Sequence, residues 1–594
     1  KEAAGRPVSE ALVRHFKDRD MLLILDNCEH LLHGCADLAR ELLQAGPQSK
    51  VLASSREPLR IAGETTYPVP ALPESEAVRL FVDRAAKAKS GFRVNGAEPA
   101  VASVCRRLDG IPLAIELAAA RVRSLSIDAI AARLDDRFRL LTRGDQTALP
   151  RQQTLRALID WSYDLLTDDE RTVFKRLAVF AGGWTLEAAE ALATAAAPGE
   201  ASALDDLTEL VEKSLVVMDA SGERYHLLDT VRQYAHERLD ESGDGDTARE
   251  RHLRFYLGLA AKARPALAGP KQGEWLGHLD LERENLLAAH VWCDRTPRGA
   301  ELGLELAYLL APYWVNRGLL GLGQRLSIEA LAREGAQERN FTRCRGLFVA
   351  GQISYFMGRY GEAQAFLEES LAIARAINDK RRVAVVLQPL GMAYLGQGDL
   401  AGARRYLEQA VASAESLGEA REIAGALNAL AQLHRVEANL DVAAPLYERM
   451  LALARELGDR ETVAIGLLNL AMVEIGRGSV ERVRQMLLDV LEIVAETGSK
   501  PVGQSVLEVC AGLAVLCQDW PHAGRFYAAA EAQALRTGLH RDPADQAFLA
   551  PMVAKAQAGP GGAAFAASED AARELAYDDA VAAARAWLQA ARAS

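Results

Sequence analysis

The sequence predicts a multidomain, predominantly α-helical protein: a partial α/β domain, a helical domain, a winged helix, then an α-solenoid. Three observations carry this. Two short apolar runs bracket a helical pattern near the start, which makes a βαβ unit. Between residues 151 and 245, helical periods give way to a hairpin pattern. From Gly323 to Phe526, small and large residues recur every forty positions.

Composition narrows the function classes. A length of 594 residues implies several domains, and 49% apolar with 25% charged residues is the balance of a globular protein. The net charge of −12 argues against a broad DNA-binding face, because phosphate neutralisation needs clustered Lys and Arg. The seven cysteines are scattered, with no Cys-x-x-Cys or His cluster, and read as reduced core thiols of a cytoplasmic protein. Cys510 and Cys517, a heptad apart, are expected on one helix face as packing. No apolar run reaches the length of a membrane span. The chain opens at Lys1 in mid-pattern, so material is expected upstream.

The βαβ unit comes first. Leu22 to Leu25 form an apolar run ending in Asp26, expected as a strand buried on both faces. "HLLHGCADLARELLQAG" has helical spacing and stops at Gly46, and "KVLASSRE" supplies the second strand. Ligands of parallel sheets sit at the carboxyl ends of the strands, where Asp26 and the Ser54, Ser55, Arg56 group lie. An aspartate there can hold Mg²⁺ through water beside nucleotide phosphates, and an arginine on the neighbouring strand can fork onto a terminal phosphate. The phosphate-cradling G-x-x-x-x-G-K-[ST] is absent.

These stretches, with "CRRLDGIPLAIELAAARV", resemble the signal-transduction ATPases with numerous domains, the STAND class, and in particular its large bacterial regulators. The resemblance implies that Asp26 is the Walker B residue, that Arg56 senses the terminal phosphate, and that Gly110 and Pro112 belong to the GxP motif that packs on the nucleotide. Asn27, following the Walker B position, cannot act as a general base, so slow turnover is expected rather than sustained hydrolysis. Pro112 is expected to kink the chain, to open a helix after Gly110, or both.

Residues 151–245 read as a winged helix. Thr167 and Glu170 make a capping-box pattern, and Leu215–Val217 and Tyr225–Leu227 flank the turn "DASGE" as a wing. Resemblance to the regulatory winged helix of the STAND class implies a domain that senses ADP against ATP. Asp205, Asp206, Glu209 and Glu212 speak against DNA contact. The family's wing-adjacent histidine position falls on Leu228, before Asp229, and Leu228 cannot bond a phosphate.

The remainder repeats. Gly323, Ala363, Ala403, Ala443, Val483 and Ala523 lie forty apart, each followed three residues later by Leu326, Phe366, Tyr406, Leu446, Met486 or Phe526. This resembles tetratricopeptide repeats with an extended period. Gly358, Gly398 and Gly478 read as turn residues, "KAQAGPGGAAFAASED" as a loop, and the last residues as a capping helix.

The expected domains are therefore 1–70, the carboxy-terminal half of a P-loop domain; 71–150, helical with the GxP motif; 151–245, winged helix; 246–300, helical linker; 301–540, repeats; and 541–594, capping helices. The function implied is a cytoplasmic ATP/ADP switch using Mg²⁺, with weak or no nucleotide binding by these residues alone. A protein or small-molecule inducer would bind the concave face of the repeats. Homo-oligomers are expected on activation, and DNA is expected to be reached only through an output domain upstream of Lys1. Two alternatives stand beside it: the regulatory region of a class III nucleotide cyclase, and a nucleotide-free binding scaffold.

Overall fold

A computed structural model of the chain describes residues 8–17, 19–26, 28, 31–55, 57–89, 92–94, 98–132, 134, 155–193, 203–573 and 575–590. It divides into two compact units, Lys1–His252 and Leu253–Ser594. Among the described residues no helix is long and apolar enough to cross a membrane.

In the first unit, β1 (Leu22–Leu25) pairs in parallel with β2 (Lys50–Ala53), Leu22 opposite Lys50 and Leu25 opposite Ala53. Between them runs α2 (Leu32–Ala45), with α1 (Val8–Phe16) preceding β1. The core of this piece is Cys28, Ala36, Ala39 and Leu59, with Leu25, Val51 and Ala53 packed against it. The expectation of strands buried on both faces is corrected. Leu22, Ile24 and Leu52 are 60%, 63% and 58% exposed, so helix covers one face and the other is an open apolar strip. The sequence run is apolar on both sides, but the described residues provide a layer for only one of them.

Helices α3 (Glu74–Ala88), α4 (Glu98–Arg107), α5 (Pro112–Ala120) and α6 (Ile127–Ala132) follow. Pro112 opens α5 with Ile111 as its N-cap, so it starts a helix and kinks none.

The winged helix uses α7 (Leu155–Asp164), α8 (Asp168–Leu177), α9 (Leu186–Ala193) and α10 (Ala203–Glu212). The capping box forms as expected: Glu170 N donates to Thr167 Oγ1 at 3.2 Å and Thr167 N donates to the Glu170 carboxylate at 2.8 Å. Of the wing strands, β4 (Val217–Met218) is one residue shorter than the run that predicted it, and β5 (Arg224–His226) has the predicted length but begins one residue earlier. A third strand, β3 (Trp184–Thr185), pairs with β5 and was not evident, since two residues carry no period. Helix α11 (Asp229–Ser242) returns across the domain, where Tyr234 and Arg238 both reach Asp160 of α7, at 2.7 and 2.6 Å.

Helix α12 (Gly245–Ala266) runs across the division at residue 252, and α13 (Gln272–Leu281), α14 (Arg283–Trp292) and α15 (Gly299–Asn316) lead into the repeats of the second unit. The first helices of successive pairs are α17 (Phe341–Phe356), α19 (Lys380–Gly396), α21 (Ala420–Val436), α23 (Arg460–Gly476) and α25 (Lys500–Leu516). The second helices are α16 (Leu320–Ala332), α18 (Tyr360–Ala376), α20 (Leu400–Leu417), α22 (Leu440–Glu456), α24 (Val480–Thr497) and α26 (Trp520–Thr537), each beginning forty residues after the last. The small residues of the predicted register are buried throughout. The large partner needs correction in the middle repeats. There Leu367, Leu407, Tyr447 and Leu487, four residues on, are fully enclosed, whereas Phe366, Tyr406, Leu446 and Met486 are half-buried. Leu367 and Leu407 fill the hollows left by Gly351 and Gly391 on the facing helices, where a Cβ would come within 2.6 Å of each leucine.

The Gly- and Ala-rich stretch is also corrected. It is helical through the end of α27 (Pro543–Ala558) and α28 (Gly562–Ala572), broken only at Gly559 to Gly561, because alanine favours helix strongly. Helix α29 (Tyr577–Ala590) follows. Cys510 is buried but Cys517 is exposed at the end of α25, so the two do not share a core face.

Candidate functional site

The strand ends bring Asp26 and Ser54 together. Parallel pairing continues past β1 and β2, with Ser54 N donating to Leu25 O at 2.8 Å and Cys28 N donating to Ser54 O at 2.9 Å. This register sets the Ser54 hydroxyl to donate to the exposed Asp26 carboxylate. Ser55 lies beside it, exposed, and its hydroxyl accepts from Glu57 N at 3.3 Å within its own turn. Asn27 and Arg56 lie outside the described residues. A carboxylate bonded to a hydroxyl at a strand end is an oxygen pair that suits a hard divalent cation held through water. Among the described residues there is no cluster of three or more His, Cys, Asp or Glu that could hold a metal directly. The phosphate-cradling G-x-x-x-x-G-K-[ST] motif is absent from these 594 residues.

Gly110 and Pro112 occupy a second tight turn. Gly110 has φ +65° and accepts from Leu72 N at 3.0 Å; a Cβ there would lie 2.4 Å from Leu72 O. Only glycine allows the approach. Pro112 is exposed at the head of α5.

Sequence reasoning missed what the neighbouring residue does. Asp109, at φ +56°, accepts from both the backbone N (3.0 Å) and the hydroxyl (3.1 Å) of Thr230. Thr230 lies in the first turn of α11, whose own N-cap, Leu228, has no side chain able to cap. Asp109 thus caps a winged-helix element from the GxP turn, with its negative charge at the positive end of the helix. The Asp-Gly pair in "LDGIPLA" marks a turn in the sequence, but nothing local names its partner 121 residues away.

A second tie was also missed. Arg60, at φ +55° in the segment after β2, bonds to Glu209 at 2.7 Å and to Glu212, both on α10. The two carboxylates hold its guanidinium in the charged form even more firmly than usual. Helix α10, the last helix before the wing and the one such domains offer to a DNA groove, reads ALDDLTELVE and has no basic residue. His226, on β5, is half-buried.

Comparisons with known proteins agree with this architecture. A winged helix-turn-helix family model matches residues 166–240, and tetratricopeptide repeat models match 348–416 and 426–461. A Mycobacterium bovis protein provisionally named an HTH-type transcriptional regulator is 48% identical over 323 residues, which are 54% of this chain and 36% of that protein. An uncharacterized Mycobacterium tuberculosis protein is 44% identical over 261 residues, 42% of this chain and 66% of its own. The regulatory protein AfsR of Streptomyces coelicolor is 27% identical over 466 residues, 66% of this chain and 45% of AfsR. A solved STAND protein with a tetratricopeptide repeat sensor, from Pyrococcus horikoshii, covers 98% of this chain and 84% of its own at 14% identity; its TM-score of 0.39 is too low to bear on the fold. The chain spans about a third of the length of the first of these relatives.

The molecule is thus a multidomain protein combining a small parallel sheet, a winged helix and stacked tetratricopeptide repeats. It is related to the mycobacterial HTH-type regulators and to AfsR.

Proposed function

We propose that this chain is the switch and sensor portion of a STAND-class transcriptional regulator. ADP or ATP with Mg²⁺ would bind at the strand ends, with Asp26 holding the metal through water, Asn27, Ser55 and Arg56 lining the phosphate side, and Gly110 and Pro112 against the nucleotide. The open apolar strip of Leu22, Ile24 and Leu52 supports a further layer packed on that face of the nucleotide-binding sheet, since a parallel sheet needs cover on both faces. The observation that carries the reading is the pair of ties onto the winged helix, Asp109 to Thr230 and Arg60 to Glu209 and Glu212. Both start in segments adjoining the proposed nucleotide contacts, so a rearrangement at the nucleotide would be felt directly at α10 and α11. The acidic face of α10 supports a regulatory winged helix over a DNA reader, because each phosphate contact would have to overcome like-charge repulsion. The repeats would bind a protein or small-molecule partner that favours one nucleotide state, with the output outside these 594 residues.

Calorimetry of ADP on the complete gene product tests the switch. Saturable Mg²⁺-dependent binding, weakened by Asp26→Ala, is expected; no binding would leave the scaffold reading, which the repeat matches independently support. The purified 594-residue chain should show negligible ATP hydrolysis in a phosphate-release assay. Sustained turnover abolished by Asp26→Ala would overturn the expectation of a slow switch.

A further inference from the structure

The repeats curve until their ends meet. The backbone N of His540, in the segment between α26 and α27, donates to Phe356 O of α17 at 2.7 Å, and the Tyr355 hydroxyl donates to Asp542. Arg435 of α21 pairs with Asp545 from the inner side. Residues 539–545 therefore roof the hollow formed by the first helices of successive repeats, leaving a cavity of about 250 Å³. That is just below the range of about 300–1,000 Å³ usual for drug-sized ligands, so it suits a compact molecule and not a folded segment.

Its lining is mixed. Tyr355, Phe356, Met392 and Met472 give apolar and aromatic surface, while Asn469 and Gln504 add amides. Four carboxylates line it: Glu461, Glu508, Asp542 and Asp545. Two have cationic partners, Glu508 with Arg541 at 3.0 Å and Asp545 with Arg435. The other two are met by neutral groups. Glu461 accepts from the Ser499 hydroxyl at 2.7 Å, and its second oxygen is buried with only the Gln272 side chain near it and no well-formed hydrogen bond. Asp542 accepts from the Tyr355 hydroxyl and from Ala544 N at 2.8 Å. Gln504, 1% exposed, donates to Glu508 at 3.2 Å, yet its carbonyl oxygen has no partner. Buried acceptors left unmet are rare and costly. The unmet atoms at Glu461 and Gln504 are acceptors, and four carboxylates line the cavity against the single guanidinium of Arg541, so the balance of the lining is acidic.

The geometry points to a binding site for a small organic cation carrying several N–H donors on a short apolar stem, such as an amine or guanidine, enclosed within the repeat array beneath residues 539–545. The ammonium or guanidinium group would meet Glu461, Asp542 and the Gln504 carbonyl, and the stem would lie along the methionines and aromatic rings, whose faces also attract cations. Burial holds both acids toward their neutral forms without such a ligand, Glu461 at about 7 and Asp542 at about 6. The inference gives the sensor of the proposed switch its ligand class, and so rests on that reading for its regulatory meaning but not for the binding itself.

The test uses the 594-residue chain without nucleotide. Agmatine and putrescine are the probes, with pentanol and glutarate as neutral and anionic counterparts, followed by calorimetry and thermal melting. Saturable binding of agmatine or putrescine with a raised melting temperature is expected, and no comparable response to pentanol or glutarate. Gln504→Met should weaken binding by about ten-fold or more while leaving the unliganded melt close to wild type. Asp542→Asn should weaken it likewise, and should that variant fail to fold, Gln504→Met decides. No response to either amine, an equal response to pentanol or glutarate, or unchanged affinity in Gln504→Met would overturn the inference. A chain that binds agmatine while the complete product binds no ADP keeps this site and loses the switch; the reverse result keeps the switch and loses the site.

Discussion

Single residues hold the first unit together at its turns. Asp109 supplies α11 with the cap that Leu228 cannot, and glycine tolerates the same positive φ. Asp109→Gly should therefore remove the cap without adding strain and cost about 1 kcal/mol in a urea melt. Asp109→Asn, still an acceptor, should cost less, and equal losses in the two variants would show that the carbonyl-type acceptor is not what matters. Gly110→Ala is a harsher change. It places a methyl group 2.4 Å from Leu72 O in the left-handed region and should cost about 2 kcal/mol or more. Native-state hydrogen exchange should report this first at Leu72, whose N–H bonds to Gly110 O.

At the scale of helices, the repeat is kept in phase by its turns as much as by its core. The residues at 318, 358, 398, 438, 478 and 518 all have positive φ, between +59° and +82°. Four are glycine, but position 438 is alanine and 518 is glutamine. A side chain costs free energy there that glycine avoids. Ala438→Gly and Gln518→Gly should each stabilise the array by about 0.5–1 kcal/mol, seen as a higher urea midpoint with unchanged slope. The same turns are followed by caps at Asp399 and Asp519, whose carboxylates accept from Gly402 N and His522 N. Asp519 thus fixes the helix start after Gln518, whereas Asn439, after Ala438, makes no side-chain cap.

For the whole molecule, the buried acids of the repeat interior give stability an unusual pH dependence. Glu461 and Glu508 are pushed up to about 7 by burial, well above the carboxylate value of an unfolded chain. Between about pH 4.5 and 7 the folded state then holds protons that the unfolded state has released. The contribution of these groups to stability is full below that window and is lost as pH rises through it. Other groups act in the opposite direction: burial lowers His236 and His290 to about 4, so their contribution is lost as pH falls below about 6.5. Comparison with Glu461→Gln isolates the carboxylate. Wild type should lose stability relative to Glu461→Gln between pH 5 and 7.5 in parallel urea melts, and a constant difference across that range would refute the assignment.

The sequence by itself determined the order of domains, both parallel strands, the capping box, the wing and the forty-residue repeat. Each of these rests on local period or on a short-range cap, which neighbouring residues encode. Tertiary structure alone decided that only one face of the small sheet is covered, that the Gly- and Ala-rich stretch is helical, and that the enclosed large residue of the middle repeats lies four positions after the small one. It also decided the contacts on which function depends: Asp109 on Thr230, Arg60 on Glu209, and residues 539–545 across the repeat hollow. Those pairs are separated by 121, 149 and 187 residues. No local pattern records such a distance, because the partner is chosen by how whole elements pack and not by the residues beside it.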